Sequence, residues 1–314
     1  MEEIMIDVKN LTMSYGKREV LKDISFKIEN GKTVGLLGAN GAGKSTTMNI
    51  LTGYLKPQSG EIYINDVDMR KAPQMAKQQI GYLPEIPPLY KDMKVYEYLL
   101  FVAELKKIDD KQEAVQSVIE RMNLEERQYD FIKKLSKGLQ QRVGFAQALL
   151  GNPEVLILDE PLVGLDPAEA KKTRELIRSL RGKCIVIISS HVLKEIEELC
   201  DSILMLKDGK LILNGSTTDA KRRGNKDSYR LIVKGEPGKV EEALNKYESL
   251  KEVRMLGAKE TGVYEFLLKA RNTRDIRDNI LGYLVSKKFT VYGIEKIETS
   301  LEDVFIEINN GEEV

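Results

Sequence analysis

Residues 33–53 read TVGLLGANGAGKSTTMNILTG, and this stretch decides the fold. The apolar run 34–37 fits a buried strand. Gly38 ends it, the turn Asn40-Gly41-Ala42-Gly43 follows, and Lys44-Ser45-Thr46 opens an apolar helical pattern. Strand, glycine loop and helix in this order match G-x-x-x-x-G-K-[ST] in the frame that the pattern requires. The loop Gly38, Ala39, Asn40, Gly41, Ala42, Gly43, Lys44, Ser45 and Thr46 is a candidate phosphate cradle. Its glycines let backbone N–H groups turn inward, and the helix N-terminus adds partial positive charge. Lys44 is placed to reach the β- and γ-phosphates, and the Ser45 hydroxyl to ligate Mg²⁺. A glycine-rich turn of some other α/β protein is the plainer alternative. The full match in its frame favours a nucleoside triphosphate.

A second signal lies at NPEVLILDEP, residues 152–161. Residues 155–158 form an apolar run that ends in Asp159-Glu160. A parallel strand beside the cradle strand would bring both carboxylates to the sheet's C-terminal edge, where open α/β sheets bind ligands. Asp159 fits a metal-side acid, and Glu160 can accept a proton from an attacking water. KCIVIISSH, residues 183–191, repeats the design and ends at the chain's single histidine. His191 suits a γ-phosphate contact or the positioning of a water. On these residues alone, a solvated acidic pair and an ordinary surface histidine remain alternatives.

Composition narrows the class. Lys+Arg and Asp+Glu balance at 49 each, so no basic excess argues for nucleic acid. At 314 residues the chain is long enough for two domains. No apolar run approaches the roughly 18 to 20 residues that cross a bilayer, so a membrane role would need a partner. Cys184 and Cys200 match no metal or redox spacing and read as reduced thiols.

KLSKGLQQRVGFAQAL, residues 134–149, looks like a second phosphate element: a serine at an N-cap position, a glycine, and apolar residues at helical spacing. A capped amphipathic helix is the simpler account. Taken together, GANGAGKST, LSKGLQQR, VLILDEP, VGLDP (163–167) and SSH resemble, in order and spacing, an ABC-transporter ATPase over about residues 4–215. The resemblance implies an α/β fold: a P-loop NTPase domain with a parallel core sheet, an antiparallel β subdomain and a helical subdomain. It also implies ATP and Mg²⁺ as ligands and two subunits facing head to tail. Ser136 and Gly138 of one subunit would then close on the γ-phosphate held by the other, with Asp166 linking the sites. A homodimer would carry two competent sites; a heterodimer is compatible. Tyr15 matches the family's adenine-stacking aromatic, with a plain turn tyrosine as the alternative.

Two departures stand out. Lys137 and Leu139 replace a glycine and the glutamine of the usual LSGGQ. In IGYLPEIPPLYKD, residues 80–92, Glu85 stands where many relatives carry glutamine, and a carboxylate is still a hard oxygen ligand for Mg²⁺. Two helical patterns follow, VYEYLLFVAELKK and KQEAVQSVIERM. The resemblance implies that they and the loop form a groove for a cytoplasmic helix of separate transmembrane permease subunits. An insert that buries only its own face is the alternative.

Residues 1–220 read as the ATPase domain and 221–227 as the end of a charged linker, STTDAKRRGNKD. Residues 228–314 read as a second domain. Its pattern, β-α-β-β-α-β, is ferredoxin-like α+β. The tail TSLEDVFIEINN fits a capped helix and resembles the L-E-D-V-F element of ABC-2-type exporter ATPases of the drug-resistance and gliding-motility kind. That domain would be a dimer-stabilising or regulatory element, a stabilising appendage or a small-ligand sensor. The expected protein sits peripherally on the cytoplasmic face of the membrane and binds no nucleic acid. A soluble ABC-type ATPase of ribosome, nucleic-acid or cofactor assembly is the alternative. One cassette, no sustained heptads and no basic stripe argue against it.

Overall fold

The computed structural model describes residues 5–223, 228–271, 275–297 and 300–309. Two compact units divide the chain, Met1–Thr217 and Thr218–Val314.

In the first unit, β1 (Met5–Tyr15) and β2 (Arg18–Glu29) form a hairpin, and β3 (Thr33–Gly38) runs through the glycine loop into α1 (Lys44–Leu51). β4 (Ser59–Ile64), β5 (Val67–Asp68), α2 (Pro73–Gln78) and β6 (Ile80–Leu83) follow. The helical part is α3 (Val95–Leu105), α4 (Lys111–Arg121) and α5 (Lys137–Leu149). The chain then alternates through β7 (Val155–Asp159), α6 (Pro167–Leu180), β8 (Ile185–Ser189), α7 (Leu193–Leu199) and β9 (Ser202–Lys207), to β10 (Lys210–Ser216). α8 (Thr217–Arg223) begins at the last residue of this unit, and the rest of it belongs to the second.

Two sheets enclose the core. β2-β1-β4-β5 is antiparallel, and β2 alternates from Ile24 to Glu29, burying Ile24, Phe26 and Ile28 while exposing Ser25, Lys27 and Glu29. That pattern marks a sheet with one wet face. The central sheet has the order β10-β9-β3-β8-β7-β6, parallel from β9 to β6. Every residue of β8 is buried, as is the run 155–158 of β7; Val155, Ile157, Ile185 and Ile187 pack in one cluster with α1 and the inner face of the antiparallel sheet. The order corrects one expectation: β7 does not lie beside the cradle strand, because β8 sits between β3 and β7. Apolar runs of similar length cannot reveal which strand inserts between which. Pairing depends on the crossovers, and those are set by packing of α6 and α7.

α8 occupies part of the stretch read as linker: Thr217 N–H donates to Asp201 O, and Ala220 is buried. Residues 224–227 of that stretch lie outside the described residues.

The second unit runs β11 (Ser228–Lys234), α9 (Pro237–Asn245), β12 (Leu250–Glu260), β13 (Val263–Ala270), α10 (Arg277–Ser286), β14 (Thr290–Lys296) and α11 (Leu301–Asn309). Its sheet order is β12-β13-β11-β14 with all pairs antiparallel, the split β-α-β arrangement of the ferredoxin-like fold. Tyr229, Leu231 and Val233 alternate inward and pack with Val240, Leu244, Ile280 and Leu284 from the helices. On the other face Arg230 pairs with Glu265 at 3.0 Å and Glu295 at 3.1 Å. Ser300 and Asp303 cap α11 reciprocally, each side chain accepting the other's backbone N–H.

Candidate functional site

The cradle is built as its sequence requires. Gly43 precedes α1 with φ +110°, and a Cβ there would lie 2.6 Å from Leu21 Cδ2 and 3.2 Å from Val20 O. Only glycine lets the loop pass this close beneath β2 in that conformation. Lys44 arches back over the loop, its Nζ donating to Gly38 O at 2.7 Å and Ala39 O at 3.3 Å. Burial lowers the pKa of its ammonium, and the nearby Glu160 and Asp159 carboxylates oppose that shift. Ser45 and Thr46 fall in the first turn of α1. Ser45 is exposed, and among the described residues its hydroxyl makes no hydrogen bond.

Beside the cradle the parallel strands end in a linked set of polar side chains. Asp159 closes β7 and pairs in register with Ser189, the last residue of β8. Ser189 Oγ donates to Asp159 Oδ1 at 2.5 Å and accepts the Glu160 N–H at 3.0 Å. Glu160 Oε2 meets His191 Nδ1 at 2.9 Å. With the carboxylate as acceptor, Nδ1 is the donor of this contact, and Nε2 makes no hydrogen bond among the described residues. Lys44, the adjacent Asp159 and Glu160, and His191, drawn from three places in the sequence, thus meet at one sheet edge. Ser189 was not singled out from the sequence. Its signal was the strand-end SSH itself, but its link to Asp159 needs the β7–β8 register.

Ser136, Gly138 and Asp166 lie elsewhere. They line a cleft of about 830 Å³ with Lys137, Gly164 and Glu169, and no residue of the loop 38–46 lines it. Ser136 Oγ accepts Leu139 N–H at 3.3 Å at the start of α5. Asp166 Oδ1 accepts the N–H groups of Ala168 and Glu169, each at 3.0 Å, at the start of α6. Arg142 pairs with Glu169, its Nε at 2.8 Å, and ties α5 to α6. This largely buried pair was also missed, because its partners are separated by sequence and only the helix packing joins them. Lys137 lies across the loop before α6: a Cβ built on Gly164 would be 2.0 Å from its Nζ.

Tyr15 is half-exposed at the end of β1, and Glu85 is exposed in the loop after β6. That loop borders an apolar groove of about 510 Å³ lined by Tyr54, Tyr82, Pro84, Ile86, Pro88 and Lys106, among others. Tyr54 is 85% and Ile86 81% exposed. Lys106 donates to Leu150 O at 2.8 Å, and burial lowers its pKa to about 8. Among the described residues no group of three or more His, Cys, Asp or Glu could hold a metal. No helix among them is long and apolar enough to cross a membrane.

A glycine cradle holding a lysine, with a strand-end Asp-Glu pair beside it on a parallel sheet, defines a P-loop nucleoside triphosphatase. The family model described as "ABC transporter" matches residues 21–163. The ABC transporter ATP-binding protein YhcH of Bacillus subtilis is 36% identical over 307 residues, covering 97% of this chain and 95% of that protein. The linearmycin resistance ATP-binding protein LnrL of Bacillus subtilis is 31% identical over 313 residues, covering 97% and 98%. Among solved structures, the dimeric ATP-binding cassette MJ0796 bound to ADP and Pi matches with a TM-score of 0.61 at 25% identity. That match covers 67% of this chain and 98% of that one. The chain belongs to the ABC transporter ATP-binding proteins, and it is an ATP-hydrolysing subunit.

Proposed function

We propose that this chain is the motor of an ABC-2-type exporter: it dimerises on ATP, hydrolyses it, and drives separate membrane subunits from the cytoplasmic face. The observation that carries this reading is the apolar groove beside the Glu85 loop. Tyr54 and Ile86 leave large apolar side chains in water, which marks a surface built to be covered. A cytoplasmic helix of a membrane subunit is the occupant that the family resemblance implies. The exporter assignment draws further support from the L-E-D-V-F tail and from the end-to-end likeness to a resistance ATP-binding protein, which spans both units.

In this reading the loop 38–46 wraps the phosphates, Lys44 binds the β- and γ-phosphates and Tyr15 packs on the base. Glu160 takes the proton of the attacking water, and His191, held through Nδ1 by Glu160, presents Nε2 to the γ-phosphate or the water. Ser136 and Gly138 serve the nucleotide of a second subunit, with Asp166 between the two sites. This division agrees with their placement in a cleft apart from the cradle. A homodimer is the simplest assembly, since one chain carries every part. The donor set also fits Mg²⁺: an unengaged Ser45 hydroxyl and the Asp159 carboxylate supply hard oxygens, with Glu85 as a further one. When bound, such an ion neutralises developing phosphate charge.

Pull-down of the tagged full chain from gently solubilised native membranes tests the reading. Recovery with a polytopic membrane subunit, lost when Ile86 and Tyr54 are replaced by serine, is the expected result. Recovery only from cytosol, with ribosomes or assembly factors, would overturn the exporter and leave the ATPase.

A further inference from the structure

Tyr15 shares its hairpin with a residue that the motifs do not include. Arg18 opens β2 and lies directly opposite Tyr15 in the β1–β2 register, across the turn Gly16-Lys17. Directly opposed residues of an antiparallel pair share a face of the sheet, so both side chains leave the hairpin on the same side. The Arg18 side chain reaches the phosphate loop: a Cβ built on Gly41 would lie 3.4 Å from its Nη2. Lys44, by contrast, is engaged with Gly38 O and Ala39 O. The loop therefore has cations at two separate points.

Arg18 is exposed, and among the described residues no carboxylate pairs with it. A guanidinium standing unpaired beside a nest of backbone N–H groups is a complementary partner for an anion with several oxygens. Its planar fork offers parallel donors to phosphate, which a lysine ammonium does not. We propose that Arg18 is a second phosphate-binding cation, gripping the phosphate chain of the bound nucleotide from the hairpin side. The hairpin then acts as one clamp, with Tyr15 on the base and Arg18 on the phosphates. The inference rests on the reading of residues 38–46 as the ATP site and is independent of the transporter assignment.

Calorimetric titration of the full chain with MgATP and MgADP tests it, using Arg18→Gln, Arg18→Lys and Lys44→Ala. Hydrogen bonds to a charged group are the stronger kind, so Arg18→Gln should weaken both nucleotides by roughly 10-fold or more. Arg18→Lys should recover part of the loss. Added salt should weaken ATP binding less in the glutamine variant than in the parent chain, and the melting temperature without nucleotide should be unchanged. Parent-like ATP affinity in Arg18→Gln overturns the proposal while Lys44→Ala still abolishes binding. A lowered melting temperature without nucleotide overturns it too, because it assigns Arg18 to hairpin stability. Parent-like binding by Lys44→Ala would instead remove the cradle reading, and this inference with it.

Discussion

Glu160 holds a backbone φ of +49°, a region that costs a non-glycine residue roughly 1–2 kcal/mol. Its N–H is anchored by Ser189, through Oγ at 3.0 Å and the backbone carbonyl at 3.2 Å. Those bonds offset the strain and turn the side chain towards His191 rather than along the strand. Strain held in place by neighbours, at a site of proposed chemistry, is consistent with a positioned base. Glu160→Gln keeps the shape and the contact to Ser189 but cannot take a proton. ATP turnover should fall by about 10²–10⁴-fold, with an ATP-bound dimer accumulating in light scattering. Full turnover in that variant would remove Glu160 as the base. The glycine loop was legible because it is local: its glycines, Lys44 and Ser45 lie in one short stretch between β3 and α1. Arg18 was not, because its closeness to Gly41 arises only when β2 is laid over the loop.

At the scale of elements, α5 meets α6 and the loop before it through two contacts that the motifs only hint at. Arg142 is clamped by Glu169, and removing one partner of so largely buried a pair leaves an uncompensated charge. Lys137, a departure from the usual glycine of LSGGQ, lies over Gly164, which has φ +71° and no side chain to obstruct it. The departure and the glycine therefore fit each other. Gly164→Ala should cost about 1–2 kcal/mol from the backbone alone, plus the displacement of the lysine. In a Lys137→Ala background only the backbone part should remain. Urea unfolding of the four chains gives the coupling; an equal cost in both backgrounds would show that the lysine does not rest on the glycine. Element types were readable from the periodicity of residues 95–122 and 228–297. The place of β8 between β3 and β7 was not, since strand order is a long-range property that similar apolar runs do not encode.

The whole molecule is two units with separate cores. In the second, Tyr229, Leu231, Val233, Phe266 and Leu268 pack with Val240, Leu244, Ile280 and Leu284 into a cluster of its own. A sheet of four strands covered by two helices is enough for independent stability. Residues 228–314, produced alone, should therefore unfold cooperatively, with amide exchange protection strongest on β11 and β13, the two central strands. Residues 1–223, also produced alone, retain the cradle, Asp159, Glu160, His191 and the cleft around Ser136, so they should bind ATP with the affinity of the full chain. A second unit that melts without cooperativity would show that its core depends on the first. Lost ATP affinity in the shorter chain would show that the nucleotide site depends on the second unit. Retained affinity with reduced ATP-driven dimerisation would assign the second unit to assembly, as the resemblance of its tail implies. That result would also separate binding from closure: the first unit holds the nucleotide, and the second sets how readily two such units stay together.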